Sequence, residues 1–391
     1  MTPAARLQAA IEILDEVIAS AQADGPPADM IVTRYFKQRR YAGSKDRRAV
    51  RELAFRAIRR SAERPADGRE AIIGLAQDDS ELLPLFGEVR GPEPLREGER
   101  SAGAGFVPDW LIPELAPLVS KSEWAQLLER APLDLRVNAA RAIRDDFLGE
   151  FEGSSSTPIS PWGIRLPADH RIDEHPAYQA GIVEVQDEGS QLVALACEPS
   201  GDERILDLCA GAGGKALALA ALAPRADILA TDSNRARLSK LAPRAERAGA
   251  RIETRLLSSP GELDELADFK DAVDLVLVDA PCSGSGTWRR NPEGRWRLTP
   301  ERLDRLVASQ QRLLDIAAEL VRPGGRLVYA VCSLLSREGA GQMDHFLQRH
   351  SSWIREDTHI AAGRPYGAGL LLTPEHDGTD GFYVARLRRP C

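Results

Sequence analysis

The sequence predicts an α/β protein whose carboxyl-terminal half forms a parallel, doubly wound sheet. Apolar runs of strand length alternate in that half with Ala- and Leu-rich stretches of helical length, and these runs are 205–208, 227–230, 275–278 and 326–329. Strands that are separated by helices form parallel sheets. A helical segment and a smaller pattern of short strands precede this half of the chain.

The first segment, residues 1–64, is predicted to be a small helical domain. Leu7, Ile11, Leu14 and Ile18 recur at the spacing of one helix face. The stretch from residue 34 to residue 64 carries twelve Lys or Arg residues against three acids. Taken alone, such a stretch fits a solvated helix face and a contact with RNA phosphates equally well.

Two further segments separate this domain from the doubly wound one. Residues 65–105 are rich in Gly, Pro, Glu and Asp and are predicted to be a linker with one short helix. Residues 106–185 are predicted to be a small α/β module, and residues 186–391 the doubly wound domain. The elements predicted in the small module are helices at 110–119 and 124–128 and strands at 135–137, 163–166 and 182–185.

The composition of the chain argues against several classes of protein. The chain has 391 residues and five scattered cysteines, none of them spaced as C-x-x-C, so we predict neither a disulfide framework nor a metal site. No segment has the roughly 20 apolar residues of a membrane span. The net charge of -8 argues against a protein that coats nucleic acid with its whole surface. We expect a cytoplasmic monomer.

A glycine-rich turn follows the first strand of the doubly wound domain. It contains Gly211, Gly213 and Gly214, and a helix is predicted to begin near Lys215. Glycines let the backbone approach a ligand closely. Asp232, at the end of the next strand, puts a carboxylate where both hydroxyls of a ribose can donate to it, so the two features together indicate a nucleoside cofactor.

Three cofactors compete for this turn. The spacing Gly211-x-Gly213-x-x-Ala216 nearly satisfies the dinucleotide fingerprint of NAD, which is a weak signal by itself. A phosphate-binding Walker loop fails, because Cys209 and Ala216 occupy the positions of an essential glycine and hydroxyl. Asp207 and the motifs downstream favour S-adenosyl-L-methionine.

Two cysteines follow two apolar strands directly. Cys282 follows the strand 275–278 in the run Asp279-Ala-Pro-Cys282, and Cys332 follows the strand 326–329. Open α/β sheets bind ligands at the carboxyl ends of their strands. Cys197 and Cys209 are more simply interpreted as small buried hydrophobic residues.

Thiols at this position suit methylation of carbon 5 of a pyrimidine. Addition of a thiolate to carbon 6 makes carbon 5 nucleophilic, and removal of the carbon 5 proton later lets the thiol leave. Asp279 would hydrogen-bond or protonate the ring nitrogen, and Lys215 would orient that edge. The residues alone do not decide which cysteine is the nucleophile.

Three motifs closely resemble those of the Sun-type (RsmB-like, NOL/NOP/Sun) RNA cytosine-5 methyltransferases: Asp279-Ala-Pro-Cys282-Ser-Gly, Tyr329-Ala-Val-Cys332-Ser and Asp380-Gly-Phe-Tyr383. The resemblance implies a class I (Rossmann-like) methyltransferase domain with a mixed, mostly parallel sheet. It also implies that Cys332 is the nucleophile, that Cys282 helps to release the product, and that Asp279 and Lys215 lie around the cytosine. The cofactor positions it implies are Asp207, Cys209, Ala210, Gly211, Gly213, Gly214, Lys215, Asp232 and Asp279.

The resemblance extends more loosely to the rest of the chain. Residues 132–138 resemble an RRM-like module, and residues 46–53 resemble a NusB-type helical RNA-binding domain, here shortened to end near residue 64. It implies an RNA partner, with ribosomal RNA favoured over transfer RNA. The RNA-binding residues it suggests are Arg39, Arg40, Lys45, Arg47, Arg48, Arg289 and Arg290.

The sequence also departs from the family pattern. The departures are Ala212 and Ala216 in the cofactor turn, Ser258 after the third strand, and Gly339 and Ala340 after the second cysteine motif. An RNA-binding ribosome-assembly factor whose methyltransferase domain is inactive therefore stays an alternative. A second alternative, a nicotinamide-dependent oxidoreductase, rests only on the glycine turn.

Overall fold

The computed structural model describes all residues from 1 to 391. They form two compact units, which we call the helical unit and the α/β unit. The helical unit consists of Met1–Leu115, Ser120–Glu129 and Thr287–Pro300, and the α/β unit of Ala116–Val119, Arg130–Gly286 and Glu301–Cys391. None of the helices is long and apolar enough to cross a membrane.

The helical unit is built on four α-helices. Thr2 caps the first of them by accepting a hydrogen bond from the Ala5 amide, and Pro3 occupies its first turn, where the missing N–H costs nothing. The helices are α1 (Pro3–Gln22), α2 (Ala28–Gln38), α3 (Ser44–Arg60) and α4 (Gly68–Asp78). Short 3-10 helices follow at Ser80–Leu85, Asp109–Glu114, Lys121–Glu123 and Pro292–Arg297.

Helix α4 corrects the prediction of a linker over residues 65–105. Its side chains Ala71, Ile72 and Leu75 are buried in the same core as those of α1 and α3. Asp67 caps the helix by accepting from the Glu70 amide. The helical domain therefore does not end near residue 64, and the Gly, Pro and acidic residues around α4 concealed its short apolar face.

A second correction concerns the helices predicted at 110–119 and 124–128. The chain forms only the 3-10 turns Asp109–Glu114 and Lys121–Glu123 there, and most of this stretch belongs to the helical unit. Pro113 lies inside the first turn. Because proline lacks the amide hydrogen that an α-helix needs, the apolar spacing does not extend into a helix.

The helical unit also contains a segment from the middle of the predicted catalytic domain. Trp296 belongs to the core formed by α1 to α4, and its indole nitrogen donates to the Ser61 carbonyl at 2.9 Å. The buried guanidinium of Arg295 donates to the carbonyls of Ile58 and Phe106, each at 2.6 Å. Residues 287–300 are therefore part of the helical unit, although 186–391 was predicted to be one domain.

The α/β unit contains a small antiparallel sheet of four strands in the order β2-β3-β1-β4. The strands predicted in this module are present, and their apolar side chains, including Leu135 and Ile164, form a separate small core. The elements are β1 (Leu133–Val137), β2 (Ser155–Ser156), β3 (Gly163–Leu166), α5 (Pro176–Gln179) and β4 (Val183–Val185), with a 3-10 helix at Arg144–Phe147. Its likeness to an RRM stays a prediction.

The larger sheet of the α/β unit has the order β11-β12-β13-β9-β8-β5-β6-β7, and β10 pairs with β13. Its strands are β5 (Arg204–Asp207), β6 (Asp227–Asp232), β7 (Glu253–Leu256), β8 (Val273–Asp279), β9 (Val321–Val331), β10 (Ile354–Glu356), β11 (Arg364–Tyr366), β12 (Gly369–Leu372) and β13 (Phe382–Arg388). Strands β5 to β9 pair in parallel, whereas β10 to β13 join antiparallel. This confirms a mixed sheet in which the doubly wound part is parallel.

Helices accompany the parallel strands of this sheet. They are α6 (Glu188–Ala196), α7 (Gly214–Leu222), α8 (Arg235–Leu238), α9 (Leu241–Ala248), α10 (Glu262–Glu265), α11 (Pro300–Leu320), α12 (Ala340–Arg349) and α13 (Pro374–Asp377). Residues 275–278 of β8 are fully buried, as expected of a central strand covered on both faces. The parallel arrangement brings the carboxyl ends of β5, β6, β8 and β9 to one edge of the sheet.

Candidate active site

The glycine-rich turn between β5 and α7 depends on backbone conformations that favour glycine. Gly211 has a φ of 58° and Gly213 a φ of 83°. A Cβ atom on Gly213 would lie 2.1 Å from Cδ1 of Leu241, so the Leu241 side chain would have to move. Gly214 begins α7 directly after this turn. The predicted strand, turn and helix are thus present.

Asp232 ties the end of β6 to this turn. One of its carboxylate oxygens accepts from the Gly211 amide at 2.8 Å, and the other accepts from the Asn234 amide at 2.6 Å. Ala210 donates its amide to the Thr231 carbonyl at 2.8 Å. A carboxylate oxygen has two lone pairs, so Asp232 keeps capacity to accept from a ligand.

Asp207, at the end of β5, has a buried carboxylate with no hydrogen-bond partner on either oxygen. Burial, together with the nearby Asp279 carboxylate, raises the pKa of Asp207 to about 7. A buried, unpaired carboxylate is costly. The side chain is therefore set up to receive a cation or a strong hydrogen-bond donor.

Lys215, in the first turn of α7, forms an ion pair with Asp279 at the end of β8. The Nζ atom lies 2.7 Å from Oδ2 of Asp279. Burial by itself would lower the pKa of Lys215, but the Asp279 carboxylate outweighs it and the pKa is raised. Lys215 is thus an ammonium group at neutral pH, and the pair presents a charged donor beside an acceptor.

The two cysteines that were predicted to be catalytic lie next to each other. The Sγ atoms of Cys282 and Cys332 lie 3.4 Å apart, and both side chains are partly buried. The hydrogen bond to Cys332 and burial raise the pKa of Cys282 well above its ordinary value. At neutral pH Cys282 is accordingly a thiol, and it shares a hydrogen bond with the sulfur of Cys332. Cys197 and Cys209 do not belong to this pair. Cys197 is buried, and burial raises the pKa of Cys209.

Glu338 connects the loop that carries Cys282 with the loop that carries Cys332. Its fully buried carboxylate accepts from the hydroxyls of Ser283 and Ser333, each at 2.5 Å. It also accepts from the Ser283 amide and from the side-chain amide of Gln310, each at 2.9 Å. Ser283 and Ser333 directly follow the two cysteines, so this one carboxylate fixes the separation of the thiols.

Backbone hydrogen bonds to the residue that precedes β13 fix the same loops a second time. The amide of Gly286 donates to the Cys332 carbonyl at 3.1 Å, and the amide of Gly381 donates to the Gly286 carbonyl at 2.8 Å. A Cβ on Gly286 would lie 2.0 Å from the Gly381 oxygen. The segment at Asp380 is held in turn by Asp187, which accepts from its amide. The late motif and residues 186–191 therefore support the site.

The departures from the family pattern leave this framework intact. The Ala212 carbonyl accepts from Arg244 at 2.5 Å, and Ala216 is fully buried in α7. The Ser258 amide donates to Glu265 at 2.8 Å. Helix α12 begins at Ala340 after Gly339 without a side-chain cap, which Glu338 compensates by holding the preceding loop.

The residues predicted to bind RNA fall into three groups. Arg40, Lys45 and Arg48 are exposed and have no carboxylate within 4.0 Å. Arg39 is paired with Glu12 and stacks on Tyr35, and Arg47 donates to the Ala42 carbonyl.

Arg289 does not fit the prediction, because only 6% of it is exposed. Arg290 lies next to it and is half-buried, within the segment that belongs to the helical unit. The family resemblance implied an RNA contact for both, but Arg289 lies in a segment whose neighbouring side chains Trp288 and Trp296 are also buried.

Comparison with known proteins connects this site with a family. A family model described as 16S rRNA methyltransferase RsmB/F matches residues 194–388. Ribosomal RNA small subunit methyltransferase B of Enterobacter sp. (strain 638) is 33% identical over 290 residues, which cover 72% of this chain and 66% of that protein. The protein of the same name from Erwinia tasmaniensis is 33% identical over 288 residues. The chain belongs to the RsmB/F methyltransferase family.

Solved structures agree with this membership at the level of the fold. PH0851 aligns with a TM-score of 0.78 at 20% identity, covering 100% of both chains. NSun6 from Pyrococcus horikoshii aligns with a TM-score of 0.60 at 20% identity, covering 68% of this chain and 92% of that one. The class I fold is confirmed, and the oxidoreductase alternative loses its support. The chain spans about two thirds (66%) of the length of the curated RsmB relatives.

The sequence did not predict the two residues that support the cysteine loops, Glu338 and Gln310. Glu338 appeared only as one letter within a departing motif, although it is the single acid in that stretch. Gln310 gave no signal, because it lies in the middle of α11 and reaches the Pro281 carbonyl only in the folded protein. The signal that was present was the serine after each cysteine, since paired hydroxyls require a shared acceptor when buried.

Proposed function

We propose that this RsmB/F family member transfers a methyl group from S-adenosyl-L-methionine to carbon 5 of a cytosine in RNA, with ribosomal RNA of the small subunit as the favoured substrate. The observation that carries the proposal is the pair of thiols 3.4 Å apart. The Lys215–Asp279 ion pair belongs to the same carboxyl edge of the sheet. This combination has a use in pyrimidine C5 chemistry and none in hydride transfer.

The residues at the glycine turn fit the proposed cofactor. S-adenosyl-L-methionine carries an ammonium group, which would supply the donor that the buried Asp207 carboxylate lacks. Asp232 would accept from the ribose hydroxyls while it keeps its hold on Gly211. When bound, the cofactor supplies an electrophilic methyl group on a sulfonium sulfur. The remaining cofactor contacts we assign to Cys209, Ala210, Gly213, Gly214 and Asp279.

The thiols carry the covalent steps of the proposed mechanism. Cys332, as thiolate, forms a bond to carbon 6 of the cytosine, and carbon 5 becomes nucleophilic. Cys282 cannot be the first nucleophile as easily, because its pKa is raised. Once the sulfur of Cys332 is bonded to carbon, the two thiols no longer share their hydrogen bond, which is the first of the causes that raise the pKa of Cys282.

The release of product uses this change. After carbon 5 has been methylated, Cys282 as thiolate takes the carbon 5 proton. The carbon 5–carbon 6 double bond forms again, and the bond between carbon 6 and Cys332 breaks with its electron pair returning to sulfur.

The Lys215–Asp279 pair supplies base selectivity in this proposal. Asp279 is held by an ammonium group, so it acts as an acceptor and not as the acid that sequence reasoning also considered. Cytosine presents an amino group at carbon 4, which donates to a carboxylate, whereas uracil presents an oxygen that repels it. Lys215 would donate to a ring acceptor on the same edge.

RNA is the proposed partner for the exposed cations of the helical unit. Arg40, Lys45 and Arg48 would contact phosphates, which position the RNA without reading its sequence. The curated relatives are named for ribosomal RNA of the small subunit, which favours that substrate over transfer RNA. We expect the protein to act as a cytoplasmic monomer.

Bisulfite sequencing of total RNA from cells with and without the gene tests the proposal. One 5-methylcytosine lost from small-subunit ribosomal RNA is the expected result, and restoring the gene should restore it. A site lost from transfer RNA would change the substrate. No lost site, with S-adenosylhomocysteine still bound by the purified protein, would favour the inactive assembly factor.

A further inference from the structure

The turn between α2 and α3 presents an aromatic side chain to solvent. Tyr41 is 75% exposed, the largest exposure of any aromatic side chain in the protein. The two aromatic residues that precede it in the sequence do the opposite: Tyr35 and Phe36 are buried in the core of the helical unit. Tyr41 therefore adds nothing to that core, and its exposure carries an unfavourable hydration cost that folding does not relieve.

The backbone of this turn is fixed from both sides. Ala42, next to Tyr41, is buried, and its amide donates to the Arg39 carbonyl at 3.1 Å. Its own carbonyl accepts from Nε of Arg47 at 2.8 Å. Arg39 is in turn stacked 3.7 Å above the centre of the Tyr35 ring. The tyrosine is thus displayed on a held turn, which lowers the entropy lost when a ligand packs on it.

Four basic residues that form no ion pair flank Tyr41 in the sequence, in this turn and at the adjoining ends of α2 and α3. They are Lys37, Arg40, Lys45 and Arg48, all exposed and none with a carboxylate within 4.0 Å. The acids close to them are engaged elsewhere. Asp46 is paired with the amino terminus and with Arg6, and Asp29 with Arg51. Glu52 alone offsets this positive charge.

We propose that Tyr41 is a stacking platform for an unpaired base of the RNA, and that the four cations contact the phosphates on either side of that base. Every base has a face that stacks on an aromatic ring, but in a duplex both faces are already covered. The site should therefore select single-stranded or bulged RNA. This inference rests on the proposed function, since it assumes an RNA substrate.

The test compares two labelled RNAs bound to the full-length protein by fluorescence anisotropy: a single-stranded dodecamer and the blunt duplex of the same sequence. Tyr41→Ala should weaken binding of the single strand roughly 5- to 100-fold. Binding of the duplex should change less than about twofold, because no base face is available to the ring. Tyr41→Trp should keep or tighten binding of the single strand.

Salt dependence separates stacking from charge. Tyr41→Ala should leave the slope of log Kd against log salt unchanged, whereas Lys45→Gln should weaken both RNAs and reduce the slope by roughly 0.7 to 0.9. Val89→Ala is the control, because Val89 is 81% exposed in the same unit but has no aromatic ring. It should bind like the wild type.

Two outcomes would overturn the inference, and a third concerns the proposed function. If Tyr41→Ala binds the single strand as well as the wild type does, the ring is not a stacking platform. If it loses affinity for single strand and duplex equally, the residue supports the surface and does not select unpaired bases. If the wild type binds neither RNA, the RNA substrate itself is wrong.

Discussion

The thiols of Cys282 and Cys332 lie 3.4 Å apart, although 50 residues separate them in the chain. Two parallel strands deliver them, since β8 and β9 are neighbours and end at the same edge of the sheet. The strands alone would leave the loops free to diverge. The shared contacts of Ser283 and Ser333 with Glu338 prevent this.

Replacement of Glu338 should therefore separate the thiols. In Glu338→Gln the two serine hydroxyls and the Ser283 amide face an amide that has one acceptor oxygen, so at least one of these contacts is lost or inverted. We expect kcat to fall roughly 10- to 100-fold and the free energy of unfolding to fall by about 1–3 kcal/mol. The KM for S-adenosyl-L-methionine should stay unchanged.

A readout beyond activity distinguishes positioning from general instability. Diamide oxidation should link Cys282 to Cys332 in the wild type and do so more slowly in Glu338→Gln, followed by mass spectrometry. Glu262→Gln is the matched control, because Glu262 is a buried carboxylate of the same unit that pairs with Arg312. Equal oxidation rates in all three proteins would contradict the role of Glu338.

The two cysteines should give different variants. Cys332→Ala should abolish turnover while the protein stays folded, because the sulfur that is proposed to bond to carbon 6 is then missing. Cys282→Ala should accumulate a covalent protein–RNA adduct, since addition proceeds without proton removal. Denaturing gels with labelled RNA detect the adduct as a slowed band. A slowed band from Cys332→Ala, and none from Cys282→Ala, would reverse the assignment.

Cofactor affinity should depend on the ionisation of Asp207. The pKa of this carboxyl is about 7 in the folded protein, and its ordinary value is 3.8. Because the bound ammonium group favours the ionised form, the Kd for S-adenosylhomocysteine should be about tenfold weaker at pH 6 than at pH 8. Calorimetry in two buffers should show proton release on binding, most of it below pH 7.

The same carboxyl affects stability with a definite sign. A folded-state pKa above the unfolded one means that the unfolded chain loses its proton first, so Asp207 lowers the free energy of unfolding as pH rises from 3.8 to about 7. Above pH 7 this penalty is constant. Asp207→Asn should remove both this slope and the pH dependence of Kd. A Kd that still varies tenfold in Asp207→Asn would assign the effect to another group.

The guanidinium of Arg295 should be important for the stability of the helical unit. Arg295→Met would remove the donors to the carbonyls of Ile58 and Phe106, of which the contact with Ile58 is buried. We expect a loss of about 2–4 kcal/mol in the free energy of unfolding, measured with urea. Arg225→Met is the control and should leave it nearly unchanged, since the Arg225 side chain is 75% exposed and its ion pair with Asp202 is screened by solvent. A small loss in Arg295→Met would mean that water satisfies these carbonyls.

The parts of the molecule that the sequence predicted are those governed by local rules. The glycine turn at 211–214, the carboxylates of Asp207 and Asp232, and the strand ends that carry Cys282 and Cys332 each follow from residues close in the chain. Apart from the contact of Glu338 with Ser333, Glu338 and Gln310 act through contacts across 28 residues or more. Residue type and spacing do not indicate contacts between such distant positions, which is why the support of the cysteine loops by Glu338 and Gln310 was not predicted.

The errors in the helical unit have a related cause. Helix α4 has only eleven residues, and its apolar face lies among glycines and acids. Arg295 contacts Ile58, which is 237 residues away in the chain. No pattern within the first 130 residues indicates that a later segment completes their core.

That later segment sets a condition on how the protein is made. The core of the helical unit needs Trp296, so it cannot close until about three quarters of the chain has left the ribosome. Amino-terminal domains usually fold first during synthesis. Here α1 to α4 have to wait, incompletely packed, while strands β1 to β8 are added. A fragment that ends near residue 130 would expose apolar surface, and it should aggregate or bind chaperones instead of folding by itself.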